Sequence, residues 1–138
     1  MFTREEEKAL RLAFWHQFEA FSRAKGRRKK WLMQNTGITP VNLKFDLDRE
    51  RALVGVDIMS RSLERRIYYY EKFESLKTLL REAMGQEVIW DLEYPVAPGK
   101  EIARIYVVLP GVDIYNQKTW EKTWAFFYEK MTAYSLCR

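Results

Sequence analysis

Cysteine and histidine are nearly absent from this sequence, and each absence excludes a kind of chemistry. The only cysteine, Cys137, stands next to the last residue given, so no internal disulfide can form and a thiol nucleophile has no evident base. The only histidine, His16, cannot make a two-histidine metal site. Disulfide-stabilised folds, cysteine hydrolases and histidine-based zinc enzymes are therefore not expected.

Glycine-rich loops and long apolar runs are also missing. The six glycines are scattered, so neither a phosphate loop nor a nucleotide-binding fingerprint is present. No apolar run approaches the length of a transmembrane helix, and the charged residues 4–7 stand where a secretory signal needs apolar ones. We expect a cytoplasmic chain with no membrane contact and no cofactor.

What is present is enough apolar material for a packed core. The 138 residues are 47% hydrophobic and 15% aromatic, which predicts one domain over residues 1–138. The formal net charge is +5, a balance that favours a polyanionic partner such as nucleic acid without requiring one.

Residues 40–85 read as a β-hairpin followed by a long amphipathic helix. Apolar residues alternate with polar ones over residues 41–47 and occupy one face over 52–59, the period of a half-buried strand. A helix is predicted over residues 61–84, with Ser60 as its N-cap and Gly85 just past its end. Arg66 falls inside the apolar arc of this helix, where we expect it to find a carboxylate or to reach the edge.

The flanking segments predict a similar mixture of elements. Thr3 and Glu6 have capping-box spacing for a helix that runs to about Arg23. Strands are predicted over residues 88–92, stopped by Pro95, and over 102–109, followed by a helix capped by Asn116. The fold class is α+β in the order helix, hairpin, helix, hairpin, helix. Its antiparallel sheet has about four strands, with helices mainly on one face.

The most basic stretch suggests a nucleic-acid surface. After Gly26 come four cations and a tryptophan: Arg27, Arg28, Lys29, Lys30 and Trp31. The cations suit phosphate contacts, and Trp31 would offer a stacking ring. A solvated connector with a buried Trp31 explains the same residues about equally well.

Trp15 is a candidate partner contact. It falls on the side of the first helix away from the apolar stripe that Leu10, Phe14 and Phe18 help to form. An exposed tryptophan can anchor a protein interface. The alternative, which we favour, is that a loop or the C-terminal tail covers it.

Carboxylates in or beside the strands raise the hypothesis of a metal-dependent nuclease. They are Asp46, Asp48, Asp57, Asp91 and Glu93. Paired carboxylates hold magnesium, but nucleases of the restriction-enzyme type also need a lysine two residues after an acidic one. Neither Asp57 nor Asp91 and Glu93 are followed by that lysine. The carboxylates are better explained as outward-facing residues that deter edge pairing.

Several landmarks together resemble an uncharacterised bacterial domain family of unknown function. They are Trp31-Leu32, Thr36-Gly37-Ile38, Trp90-Asp91, Arg104-Ile105-Tyr106-Val107, Pro110-Gly111-Val112, Ile114-Tyr115-Asn116 and Trp120. Members of this family are short standalone proteins, or form the C-terminal part of longer proteins with an endonuclease-like N-terminal half. The resemblance implies association with DNA processing and supplies no catalytic residue.

These observations lead to three hypotheses. The first is a non-enzymatic accessory domain that contacts DNA, or a DNA-processing protein, through Arg27 to Trp31. The second is a protein-interaction or self-assembly module, including a homo-oligomer, that uses Trp15 or a sheet edge. The third and weakest is a metal-dependent nuclease.

Overall fold

The computed structural model describes residues 2–26 and 41–136, which form an α+β fold. Its elements in chain order are α1 (Arg4–Ala24), β1 (Val41–Leu47), β2 (Arg51–Ile58), α2 (Leu63–Glu74), α3 (Lys77–Met84), β3 (Ile89–Ala97), β4 (Lys100–Pro110), a 3₁₀ turn (Gln117–Thr119) and α4 (Trp120–Leu136). None of the helices in these two ranges combines the length and apolarity needed to cross a bilayer.

The four strands form one antiparallel sheet in the order β1-β2-β4-β3. Each hairpin therefore places its second strand at the centre of the sheet and its first strand at an edge. The register pairs Val54 of β2 with Phe45 on one side and Val107 on the other. Because side chains alternate between faces, these three point to the same face.

The hydrophobic core lies between that face and the helices. It contains the alternating strand residues from Ala52 to Ile58 and from Ala103 to Val107, packed with Phe14 and Phe18 of α1 and Phe127 of α4. These strand residues are the ones that the period-two pattern places on a single face. The first helix also begins as predicted, with Thr3 and Glu6 forming a complete capping box.

The predicted single helix over residues 61–84 is wrong, so the predicted order with one helix between the hairpins is not confirmed. Two helices, α2 and α3, occupy this segment. The N-cap is Ser62 rather than Ser60, because the Ser62 hydroxyl accepts a hydrogen bond from the Arg65 amide. The break lies where the Ser75 hydroxyl donates to the Lys72 carbonyl at 2.6 Å, a local bond that competes with the helix. Gly85 follows α3 with φ +66°, as predicted.

Pro95 does not stop β3, which runs on to Ala97. The strand lies at the edge of the sheet, where a residue without an amide hydrogen is tolerated, and its register against β4 shifts beside Pro95. A proline therefore disturbs this strand without ending it.

Lys130 connects α4 to the end of α3. Its side chain is buried, and its ammonium donates to the carbonyl oxygen of Met84, the last residue of α3. A cation at a helix C-terminus satisfies a free carbonyl and complements the helix dipole. This contact fixes how α3 packs against α4.

Candidate functional site

The predicted nucleic-acid residues lie outside the described part of the chain. They are Arg27, Arg28, Lys29, Lys30 and Trp31. Lys25 and Gly26, directly before them, are exposed at the end of α1. The assignment of this stretch to a nucleic-acid surface stays a prediction from the sequence.

Trp15 packs against the core instead of facing solvent. Its ring stacks on Phe127 with centroids 5.7 Å apart and an interplanar angle of 7°, and it lies 6.3 Å from Phe45 of β1. Among the described residues, the elements that cover Trp15 include β1 and α4. The buried residues of α1 are Phe14, Phe18 and Ser22, so the buried face is rotated toward Trp15 relative to the predicted stripe. The half-buried ring leaves only part of its surface for a partner.

A buried ion pair crosses the centre of the sheet on the face away from the core cluster. Arg104 of β4 donates from Nε and Nη2 to the two carboxylate oxygens of Asp57 of β2, at 2.7 and 2.9 Å. The two side chains are 6% and 5% exposed. Burial alone would lower the pKa of Arg104, but its hydrogen bond to Asp57 and the charge of that carboxylate raise it. Asp57 is thus committed to a cation of the protein.

Aromatic side chains cover this ion pair. The guanidinium of Arg104 lies 4.2 Å from the ring centroid of Tyr94, which meets Tyr106 edge to face at 5.7 Å. The hydroxyl of Tyr94 accepts a hydrogen bond from Arg51 at 3.1 Å. Tyr106 lies against Gly55, where an added Cβ would be 2.7 Å from the Tyr106 Cβ. The result is a closed polar layer held together by direct contacts.

The other strand carboxylates have local structural roles. Asp48 accepts hydrogen bonds from the amides of Glu50 and Arg51 in the β1–β2 turn. Asp46 and Asp91 each accept one from a nearby amide of the same strand. Within residues 2–26 and 41–136, no three acidic, histidine or cysteine side chains are grouped so that they could hold a metal ion. The carboxylates do not assemble into the site that a nuclease of the restriction-enzyme type needs.

A basic and aromatic surface lies on α2. Arg65, Tyr68 and Lys72 recur at intervals of three and four residues, which places them on one side of the helix, and all are exposed. Tyr68 is 54% exposed, and the Lys72 ammonium lies 4.7 Å from its ring centroid. Arg61, also exposed, precedes the N-cap. We call Arg61, Arg65, Tyr68 and Lys72 the α2 stripe.

Two further arginines face a cleft of about 500 Å³ between α1, the β1–β2 turn and Tyr115. Arg11 donates to the Tyr115 hydroxyl at 2.8 Å, and the Arg49 guanidinium lies 4.6 Å from the centroid of that ring. Arg49 also forms an ion pair with Glu7. Both cations therefore have protein partners, and the cleft ties the turn to α1.

The role of Arg104 was not predicted from the sequence. Arg104 lies within residues 102–109, whose pattern predicted only a strand. Its partner, Asp57, was noticed for metal chemistry, and a buried acidic residue facing a buried basic one would have been the better signal. The sequence does not single out the α2 stripe, because Tyr68, Tyr69 and Tyr70 are consecutive and only the packing of α2 leaves Tyr68 exposed while Tyr69 and Tyr70 are half-buried.

Comparison with known families identifies the family to which the chain belongs. Residues 10–135 match the family described as Domain of unknown function (DUF4268), so the chain belongs to that family. This confirms the resemblance to an uncharacterised domain family. Neither the curated proteins nor the solved structures contain a significant match.

Proposed function

We propose that this DUF4268 protein is a non-enzymatic accessory domain that contacts DNA in the bacterial cytoplasm, with the α2 stripe as one contact surface. The observation that supports the proposal is the exposed tyrosine between exposed cations on one helix side. Arginine and lysine neutralise phosphates, and an exposed ring offers a base a stacking surface. The net charge of +5 and the stretch from Arg27 to Trp31 are consistent with the same partner.

The geometry favours sequence-tolerant binding. Residues 65 and 72 are separated by roughly 10 Å along the helix axis at 1.5 Å per residue, a span that fits adjacent backbone phosphates better than base edges deep in a groove. Glu64 and Glu71 lie on the neighbouring flank of α2 and limit the width of the positive surface. Backbone contact through a narrow stripe predicts micromolar affinity that falls steeply with salt.

The test is fluorescence anisotropy with labelled duplex and single-stranded DNA at several salt concentrations. If Arg61, Arg65 and Lys72 each meet one phosphate, changing all three to Gln lowers the slope of log K against log salt by roughly 2.7 on duplex DNA. Tyr68→Ala should weaken single-stranded binding more than duplex binding, because unpaired bases are free to stack.

A matched control separates a local contact from net charge. Lys8, Lys100 and Lys118 are exposed cations on other elements, and changing them to Gln removes the same charge. The control variant should keep most of the salt slope. Equal losses in both triple variants would contradict the assignment of the α2 stripe. Replacement of Arg27, Arg28, Lys29 and Lys30 by Glu tests the second surface, which unchanged binding would reject.

A self-assembly role is the second candidate, supported by the edge strand β3. Ile89 and Val96 of this strand are 40% and 42% exposed, and β3 pairs only with β4 within the described residues. Light scattering after gel filtration tests the idea. A dimer that Ile89→Lys converts to monomer would support it, and a monomer at high protein concentration would exclude it. Pro95 and the register shifts oppose such pairing.

A further inference from the structure

A second buried arginine lies on the core side of α2. Arg66 is 8% exposed and shares its helix side with Tyr70 and Phe73, which pack against the core cluster. In the described part of the chain it forms neither a hydrogen bond nor an ion pair, and its Nε and Nη1 atoms are buried without an acceptor. No carboxylate of the described residues pairs with Arg66, so that part of the expectation is wrong, and Nη2 is not one of the buried atoms that lack an acceptor.

Arg104 shows what a buried guanidinium normally requires. Both arginines are more than nine-tenths buried, but Arg104 has a bidentate carboxylate and Arg66 has none. A guanidinium buried without an acceptor needs an explanation, and an ion that completes it is one.

The carboxylates on this side of α2 do not serve Arg66. Glu74 and Asp91 act on Tyr70, one turn further along the helix, whose pKa is raised by burial and then by these two charges. Asp91 also accepts the Glu93 amide at 3.0 Å. The exposed Arg61 and Arg65 precede Arg66 in the chain and attract anions to the start of α2.

We propose that Arg66 is the buried contact of a binding site for a small oxyanion of the phosphate class, at the side of α2 that faces the sheet. The small exposed fraction of Arg66 admits a compact ion and excludes a polymer backbone. Phosphate fits because it brings up to two negative charges and several acceptor oxygens to one guanidinium. Arg61 and Arg65 also belong to the α2 stripe, but Arg66 does not, so a test on Arg66 is separate from the test of the DNA proposal.

The experiment titrates inorganic phosphate into the whole protein by calorimetry and follows thermal unfolding in parallel, with sodium chloride at matched ionic strength as reference. The variants are Arg66→Met and Arg66→Lys, and Arg81→Met makes the same change at an exposed arginine of α3. The wild-type unfolding midpoint should rise with phosphate beyond the chloride reference. Arg66→Met should bind phosphate at least about tenfold more weakly, and Arg81→Met should bind it as the wild type does.

Without phosphate, Arg66→Met should unfold at or above the wild-type midpoint, because it removes an unpaired buried charge. An equal phosphate effect in folded Arg66→Met, or an equal effect of acetate on the wild type, would overturn the proposal. If Arg66→Met does not fold, the line width of the ³¹P resonance of added phosphate is measured with the wild type and with Arg66→Lys instead. If the wild type does not broaden this resonance, the site is rejected, whether or not the protein binds DNA.

Discussion

Removing one partner of the Asp57–Arg104 pair should destabilise the protein far more than removing both. Each side chain is almost fully buried, and the pair has two hydrogen bonds of 2.7 and 2.9 Å. Asp57→Leu leaves a buried guanidinium that cannot lose its charge, and Arg104→Met leaves a buried carboxylate. A buried charge that loses its partner costs about 3–5 kcal/mol.

The double variant Asp57→Leu/Arg104→Met should recover most of that loss, because it replaces the pair by apolar side chains of similar volume. Urea unfolding of the four proteins yields the coupling energy, expected at roughly 3 kcal/mol or more. In thermal unfolding each single variant should lie roughly 10–20 °C below the wild type. Asp57→Leu should be the worse of the two, since an isolated aspartate can take up a proton and an isolated arginine cannot.

The ion pair between Arg23 and Glu19 on α1 is the control. It is 3.1 Å long with side chains 61% and 30% exposed, and its coupling energy should be under about 0.5 kcal/mol. Single variants at Asp57 or Arg104 that cost less than about 1 kcal/mol, or a double variant that costs their sum, would refute the reasoning. Either result would show that the pair is solvated in solution.

Three further changes test other parts of the fold. Gly55→Ala places a Cβ 2.7 Å from that of Tyr106 and should cost roughly 1–3 kcal/mol in urea unfolding, whereas a wild-type midpoint would contradict this close approach. Lys130→Ala leaves the Met84 carbonyl without its cation, which should lower the free energy of unfolding by about 2 kcal/mol and speed amide exchange in α3. Unchanged exchange would argue against a stabilising contact of Lys130 with the end of α3. Partial burial would raise the pKa of Asp48, but the hydrogen bonds that its carboxylate accepts from backbone amides lower it. The stabilisation by Asp48 is therefore present above the pKa of the unfolded state, about 3.9, and is lost as the pH falls through the lower pKa of the folded state. The stability gap between wild type and Asp48→Ala should therefore close in acid, and a gap that is constant down to about pH 2 would exclude this origin.

The features that the sequence predicted well are encoded within a few residues. Alternation over β1, the Thr3–Glu6 capping box and the role of Gly85 all depend on spacing along one segment. The prediction of a half-buried β2 is wrong, because Ala52 to Ile58 are buried on both faces of the sheet. Spacing within one helix does not fix which face is buried. The buried face of α1 is rotated from the predicted stripe by about half the angle between successive residues. Whether Gln17 or Trp15 is covered depends on which side chains of α4 and β1 contact the helix.

The candidate site could not be predicted for a different reason. Asp57 and Arg104 meet because β2 and β4 are neighbours, and nothing in either hairpin says which of its strands faces the other hairpin. The isolated state of Arg66 likewise depends on the whole packing of α2. At the break, the Ser75 hydroxyl competes with the backbone hydrogen bonds of the helix. The apolar stripe runs on through this point, so the sequence pattern does not indicate the break.

The strand order has a consequence for how the chain folds. Each hairpin closes a short loop, but the seam between β2 and β4 joins Arg51 to Pro110 and Ile58 to Ala103, with α2 and α3 inside the enclosed loop. The entropy of closing that loop is lost before the seam forms, so we expect both hairpins to form early and the seam to limit the folding rate. A folding probe at the seam should then report the slow step.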